Sequence, residues 1–221
     1  MPKREYGTGK ASPQNHYDYD EHERAKPTMY HEGMREFQDR FDSRRVADRL
    51  HQVTVHDRFT ESDRSFIEHC SFFFLATADV EGFPDCSYKG GLPGFVRVVD
   101  DRTLAFPHYD GNGMFRSLGN VLVNPHVGLL FIDFEEPDRL RINGDATVHY
   151  HDPLRIQFPG SQLIVRVKAG RIFPNCPRYI HKIKMIRHSV YVPRPEQTPP
   201  TPKWKKMKEF RDALPRSTSN D

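Results

Sequence analysis

A cation in the first turn of a helix needs an explanation, and residues 112–124 read as such a helix. Phe115, Leu118 and Leu122 share one helical face, Asp110 or Asn112 offers a cap, and Asn124-Pro125 supplies the stop. Arg116 then faces the positive end of the helix dipole, at a cost of about 0.3–1 kcal/mol unless an anion is present. First-turn N–H groups, a guanidinium and the Ser117 hydroxyl together suit a phosphate. A solvated surface arginine satisfies the same local sequence equally well. Ser87-Tyr88-Lys89-Gly90-Gly91 is a second candidate, because two glycines after a short strand admit a flat ligand and Lys89 brings a mobile charge. Gly-Gly after a strand is also an ordinary bulge or turn. The third is the stretch of residues 173–181, where Arg178 and His181 could face one pocket, although packing of Cys176 and Tyr179 is the plainer account. His149 and His151 share a strand parity as a metal pair would, but no third ligand stands at a typical spacing, so no metal site is expected. Nucleophile-elbow, Walker and dinucleotide glycine motifs are absent from the sequence.

The elements that must position these residues read mainly as strands. Residues 72–78 (FFFLATA) are apolar and end in an Asp79-Val80-Glu81-Gly82 turn. Short runs follow at residues 86–89, 95–99 and 103–106. Residues 127–134 are apolar on both parities, so both faces should be covered. Over residues 139–151, Leu140, Ile142, Ala146, Val148 and Tyr150 alternate with polar side chains, the mark of a half-buried strand. Residues 163–173 and 189–192 add two more, and seven or eight short strands point to a closed antiparallel barrel. Thr60 opens a helix with Asp63 as its capping-box partner and Phe66, Ile67 and Cys70 on one face. Met34, Phe37, Phe41, Val46 and Leu50 support one or two amphipathic helices upstream, whereas residues 1–30 show no periodicity.

This organisation gives a polar extension with helical segments at 1–59, a barrel at 60–192, and a Pro-rich basic tail at 193–221. Seven basic and four acidic residues lie in 194–221 and account for the whole net charge of +3. The barrel itself is neutral, which argues against a dedicated nucleic-acid binder. Within the tail, Trp204, Met207 and Phe210 suggest a short amphipathic helix that docks on a surface. No opening apolar segment resembles a signal peptide and no run spans a bilayer, so neither export nor membrane attachment is expected. Three cysteines without paired spacing fit buried thiols in a reducing cytoplasm better than disulfides.

Several of these motifs in order resemble the FMN-binding split barrels of the pyridoxamine-phosphate-oxidase-like group. They are Ala76-Thr77-Ala78-Asp79 with Gly82-Phe83-Pro84, then Ser87-Tyr88-Lys89-Gly90-Gly91, then Phe106-Pro107 through Asp110-Gly111-Asn112-Gly113, with Asn124-Pro125, Arg139-Leu140-Arg141-Ile142-Asn143-Gly144 and residues 173–181. The resemblance covers residues 60–192. It implies a mainly β split barrel and a homodimer with FMN at the subunit interface, acting as an oxidoreductase on a small-molecule substrate, with NAD(P)H as a candidate donor. A flavin-binding sensor or carrier is the alternative. Under it, Arg116 and Ser117 match the pair that grips the FMN phosphate (the second is usually Lys), with Asn112 in the loop leading to them. Ser87, Tyr88, Lys89 and Gly90 match the strand along the ring and ribityl chain, Arg139 and Arg141 a strand at the flavin's polar edge, and Arg178 and His181 a substrate site. The Arg-x-Val-Leu-Leu-Lys and Arg-x-His-Asp stretches of pyridoxamine phosphate oxidases proper are missing, so oxidation of vitamin B6 phosphates is not implied.

Overall fold

Helical spacing upstream and alternation downstream produce two compact units, divided between Val55 and His56. A computed structural model describes residues 28–215; the reading of the earliest residues, up to 27, lies outside them. In the first unit, α1 (Glu32–Arg40) and α2 (Arg44–Thr54) form where the spacing places them. Their apolar residues stay exposed, 61% at Phe37 and 72% at Phe41.

The second unit starts from the capping box. Thr60 Oγ1 accepts from the Asp63 N–H at 3.1 Å and the Asp63 carboxylate accepts from the Thr60 N–H at 2.8 Å, opening α3 (Glu61–His69). Ile67 and Cys70 are buried as the spacing requires. Seven strands follow: β1 (Phe72–Ala78), β2 (Pro84–Gly90), β3 (Arg97–Val98), β4 (Thr103–Tyr109), β5 (His126–Asp133), β6 (Asp138–His149) and β7 (Ser161–Pro174), with α4 (Arg116–Val123) between β4 and β5. They make one antiparallel sheet in the order β2-β1-β5-β6-β7-β4-β3. Among the described residues the ladder does not close: β2 and β3 are its two edges, so the barrel is split, as the family resemblance implied, rather than closed, as the strand count alone suggested. Curling is shown by the core, because Phe73 of β1 meets Phe106 of β4 at 5.0 Å although the two strands are far apart in the sheet. Phe131 of β5 completes this cluster at 5.0 Å from Phe73.

Three element assignments are corrected. Residues 95–99 yield only the two-residue β3, and residues 189–192 form a turn, with the Tyr191 N–H on Ser189 Oγ and Pro193 unable to donate further. Residues 203–211 form two short 3-10 turns, Lys203–Lys206 and Lys208–Phe210, in place of an amphipathic helix. Of the cysteines, only Cys70 is buried; Cys86 and Cys176 are exposed, and all three are free thiols.

A part-buried ion pair ties β7 to the turn that precedes it. Asp152 accepts from Arg166 Nε at 2.6 Å and Nη2 at 3.1 Å while also capping the turn at Leu154 N. The Arg166 hydrogen bond holds the Asp152 carboxyl below the usual carboxylate range. Its stabilisation is therefore complete above about pH 4 and disappears as pH falls through the lowered value. Asp152→Ala should cost about 2 kcal/mol near neutral pH, read by urea unfolding, and should flatten the acid limb of the stability curve.

Candidate functional site

The pleat of β2 sorts the candidate residues. Asp85, Ser87 and Lys89 pair with Thr77, Leu75 and Phe73 and share their inward face, whereas Cys86 and Tyr88 point outward. Because β2 is an edge strand, its inward polar row is not sealed by another strand. Helix α4 fills the gap instead. Asn120 Nδ2 donates to Thr77 Oγ1 at 3.1 Å and Asn124 Nδ2 to the Asp79 carbonyl at 3.3 Å, fixing the helix to β1.

The start of α4 differs from its sequence reading. Asn112 does not cap it; Asn112 Oδ1 accepts from the Met114 N–H at 3.0 Å in the preceding loop. The N-cap is Phe115, held at φ 49° in the left-handed region, which costs a non-glycine residue about 1–2 kcal/mol. The buried face is Ser117, Leu118 and Val121, and Leu122 is 70% exposed rather than sharing it. This rotation turns Ser117 toward β2. Its hydroxyl lies 2.9 Å from Ser87 Oγ and 3.4 Å from Lys89 Nζ. Arg116 Nε donates to Asp85 Oδ1 at 3.0 Å, and Ser117 Oγ lies 3.5 Å from the other Asp85 oxygen.

Around this group opens a cleft of about 460 Å³ between β2, β4 and the 110–118 segment. That volume lies within the range of small-molecule and cofactor sites. Burial pushes the Lys89 ammonium below the ordinary lysine range, opposed by Asp85. His108, 5.5 Å from the Phe115 ring, is likewise lowered by burial and then by Lys89, against Asp110, which favours its uncharged form. Burial pushes the Tyr109 hydroxyl up to about 12. Lys89 and Arg116 balance the carboxylates of Asp85 and Asp110, of which Asp110 is also paired with Lys205, and the N-terminus of α4 adds partial positive charge; a phosphate is the anion that such hydroxyl, ammonium and amide donors fit.

Of the predicted residues, Ser87, Lys89, Gly90, Asn112, Arg116 and Ser117 line this cleft, together with Tyr88, whose ring stacks outward on Phe72 at 5.3 Å. Gly91 does not serve ligand approach, since the Phe95 ring occupies the space its side chain would need. Arg139 and Arg141 lie elsewhere, on β6, where they hold the next segment: Arg139 Nη2 donates to the Cys176 carbonyl at 3.0 Å and Arg141 Nη1 to Asn175 Oδ1 at 2.6 Å. Arg178 and His181 are exposed and do not line the cleft. His149 bonds Thr147 Oγ1 at 2.8 Å. Sequence reasoning missed Asp85 and His108. Asp85 was visible as the residue two before Ser87 on the same parity, but His108 had no signal until the cleft brought it beside Lys89.

A second cavity, of about 850 Å³, adjoins the first through Tyr88, Gly90, Tyr109 and Asp110 and has Phe72 and Phe134 among its walls. Among the described residues no helix is long and apolar enough to cross a membrane.

No curated protein matches the chain. Solved structures similar to it include HupZ of Group A Streptococcus (20% identity, covering 52% of this chain and 93% of that one, TM-score 0.43). Others are HutZ, the heme storage protein of Vibrio cholerae (20%, 52% and 94%, 0.39), and an FMN-binding protein from Syntrophomonas wolfei subsp. wolfei (14%, 66% and 96%, 0.38). The family model for pyridoxamine 5'-phosphate oxidase matches residues 59–175, a span that contains the split sheet, α4 and every residue of the phosphate-fitted group. On that match, over half its length, the chain belongs to the pyridoxamine 5'-phosphate oxidase family.

Proposed function

We propose that this chain binds FMN with its phosphate in the cleft between β2 and α4 and works as a flavin-dependent oxidoreductase on a small molecule. The observation that carries this reading is the convergence of Lys89, Ser87 and Ser117 within 3.4 Å beside Arg116 at a helix N-terminus. When bound, the flavin supplies hydride transfer, and the protein supplies position and charge. Lys89 and Ser117 hold the phosphate. Arg116 exchanges part of its contact with Asp85 for it, and His108 beside Phe115 gives a flat wall.

The two faces of the sheet carry different halves of the predicted site. Tyr88, Phe74, Leu130 and Arg141 stand opposite one another across four strands on the outward face. Tyr88 is 63% exposed there. A second copy of the chain is the occupant proposed for this half-apolar face, as a homodimer. Arg178 and His181 then remain as exposed candidates for the substrate.

Visible absorbance of the purified protein, followed by mass spectrometry of the released ligand, tests the reading: a flavin spectrum and FMN are expected, and a heme or deazaflavin ligand overturns it. Steady-state NAD(P)H oxidation by the loaded protein tests turnover. Arg116→Ala should weaken FMN binding about tenfold, or about 1.4 kcal/mol, because Arg116 is exposed and shared with Asp85. Riboflavin affinity and the melting temperature of the apoprotein should stay unchanged.

A further inference from the structure

The loop before α4 is held from behind by the C-terminal segment. After leaving β7 the chain returns across the barrel end, with Pro193 against Gly160. Further on, Lys205 Nζ donates to Asp110 Oδ2 at 2.5 Å, a pair in which the lysine side chain is only 22% exposed. Lys205 also lies 5.7 Å from the Trp204 ring, which meets Phe210 edge-on at 5.7 Å. Trp204, Lys205 and Pro215 enclose a small cavity of about 120 Å³ whose other walls include His108, Asp110 and Phe115. Those three also line the larger cleft. The loop that sets the N-terminus of α4 thus touches both the tail and the cleft.

That loop contains a backbone that does not hold itself. Phe115 sits in the left-handed region without a side-chain cap for the helix, and such a conformation persists only when its surroundings impose it. Asp110 is the loop's anchor point, and Lys205 is its cation. The geometry points to Lys205 as a positioning residue: with Trp204 behind the loop, it fixes residues 110–115 so that Arg116 and Ser117 face the phosphate. Polyanion binding, the other use of a basic tail, is at odds with Lys205, whose charge is already turned inward onto Asp110.

The inference rests on the cleft being the flavin-phosphate site for its ligand, but not for the loop order it asserts. The test is Lys205→Met in the full chain, with two readouts. Hydrogen exchange of the apoprotein should show amides of residues 111–117 exchanging faster, and stopped-flow release of FMN should quicken, each by roughly two- to fivefold, the size expected of an ion pair with one exposed partner. Lys205→Arg should restore both, as should the exchange of charges in Lys205→Asp with Asp110→Lys. Unchanged exchange in Lys205→Met overturns the inference, including where FMN release alone quickens, since Lys205 would then be touching the ligand directly. Faster exchange in a protein that takes up no FMN upholds the positioning role while the flavin reading fails.

Discussion

Lys89→Met should reduce FMN affinity by roughly a hundredfold while leaving riboflavin affinity nearly unchanged, because it removes a charge-assisted contact worth about 2–3 kcal/mol. The effect exceeds that of Arg116→Ala for a physical reason. Lys89 is half-buried on the inward face of β2, where water screens its charge poorly, and its ammonium lies 3.4 Å from Ser117 Oγ. Arg116 is 63% exposed at its side chain and already holds Asp85. The pH profile separates a charge effect from a packing effect. Burial holds Lys89 below the ordinary lysine range, so the cation is complete on the acid side of that lowered value and is lost as pH rises through it. FMN affinity should therefore rise through about pH 6, as the phosphate gains its second charge, and fall again on the alkaline side. Lys89→Arg should retain binding and abolish the alkaline fall, since a guanidinium does not deprotonate there. Parallel titrations with FMN and riboflavin across pH check all three statements. A loss of riboflavin affinity as large as that of FMN would mean that Lys89 serves the ring or the fold, not the phosphate.

Gly144→Ala is expected to be the most destabilising single methyl group in the sheet, at about 3 kcal/mol. A Cβ at Gly144 would lie 2.2 Å from the Lys168 carbonyl oxygen and 3.1 Å from Ala169 Cα, so the obstruction is backbone and cannot rotate away. The register of β6 against β7 shifts between Asn143 and Gly144, and the two backbones approach each other closely at that irregularity. Relief requires the two strands to part. Ile142 and Ala146, on either side, are buried in the core, and Ile172 opposite Ile142 is fully buried too, so parting would open the barrel at its most extensively paired ladder. Denaturant unfolding should show the midpoint shift with an unchanged slope. A shift below 1 kcal/mol would mean that the bulge is mobile enough to absorb the methyl group.

How far these features were legible in the sequence depended on whether one local rule governed them. Residues 72–78 and the alternation around Leu140 and Ile142 were legible because one face of each strand is buried by a continuous core, and period two has no competitor there. The capping box of Thr60 and Asp63 was legible because both halves of it are local. The start of α4 was not. Its cap is a phenylalanine in the left-handed region, a choice that no propensity favours and that the surrounding barrel and tail impose. That shift rotated the helix enough to bury Val121 in place of Leu122 and to aim Ser117 at Ser87. The pairing of Arg116 with Asp85 was hidden for a related reason: it joins residues 31 positions apart, on elements whose adjacency only the split sheet creates. In the tail, Trp204, Met207 and Phe210 had helical spacing, but the segment is short and follows Pro199, Pro200 and Pro202, so 3-10 turns closed over the loop instead.

Where a phosphorylated flavin lies is tested most directly by a crystal structure of the chain grown with FMN. The phosphate should sit within hydrogen-bond reach of Lys89 Nζ and Ser117 Oγ at the N-terminus of α4, with the ring running past His108 and Phe115. A flavin bound with its phosphate away from Lys89 and Ser117, or seated only in the aromatic cavity beside Phe72 and Phe134, would contradict it.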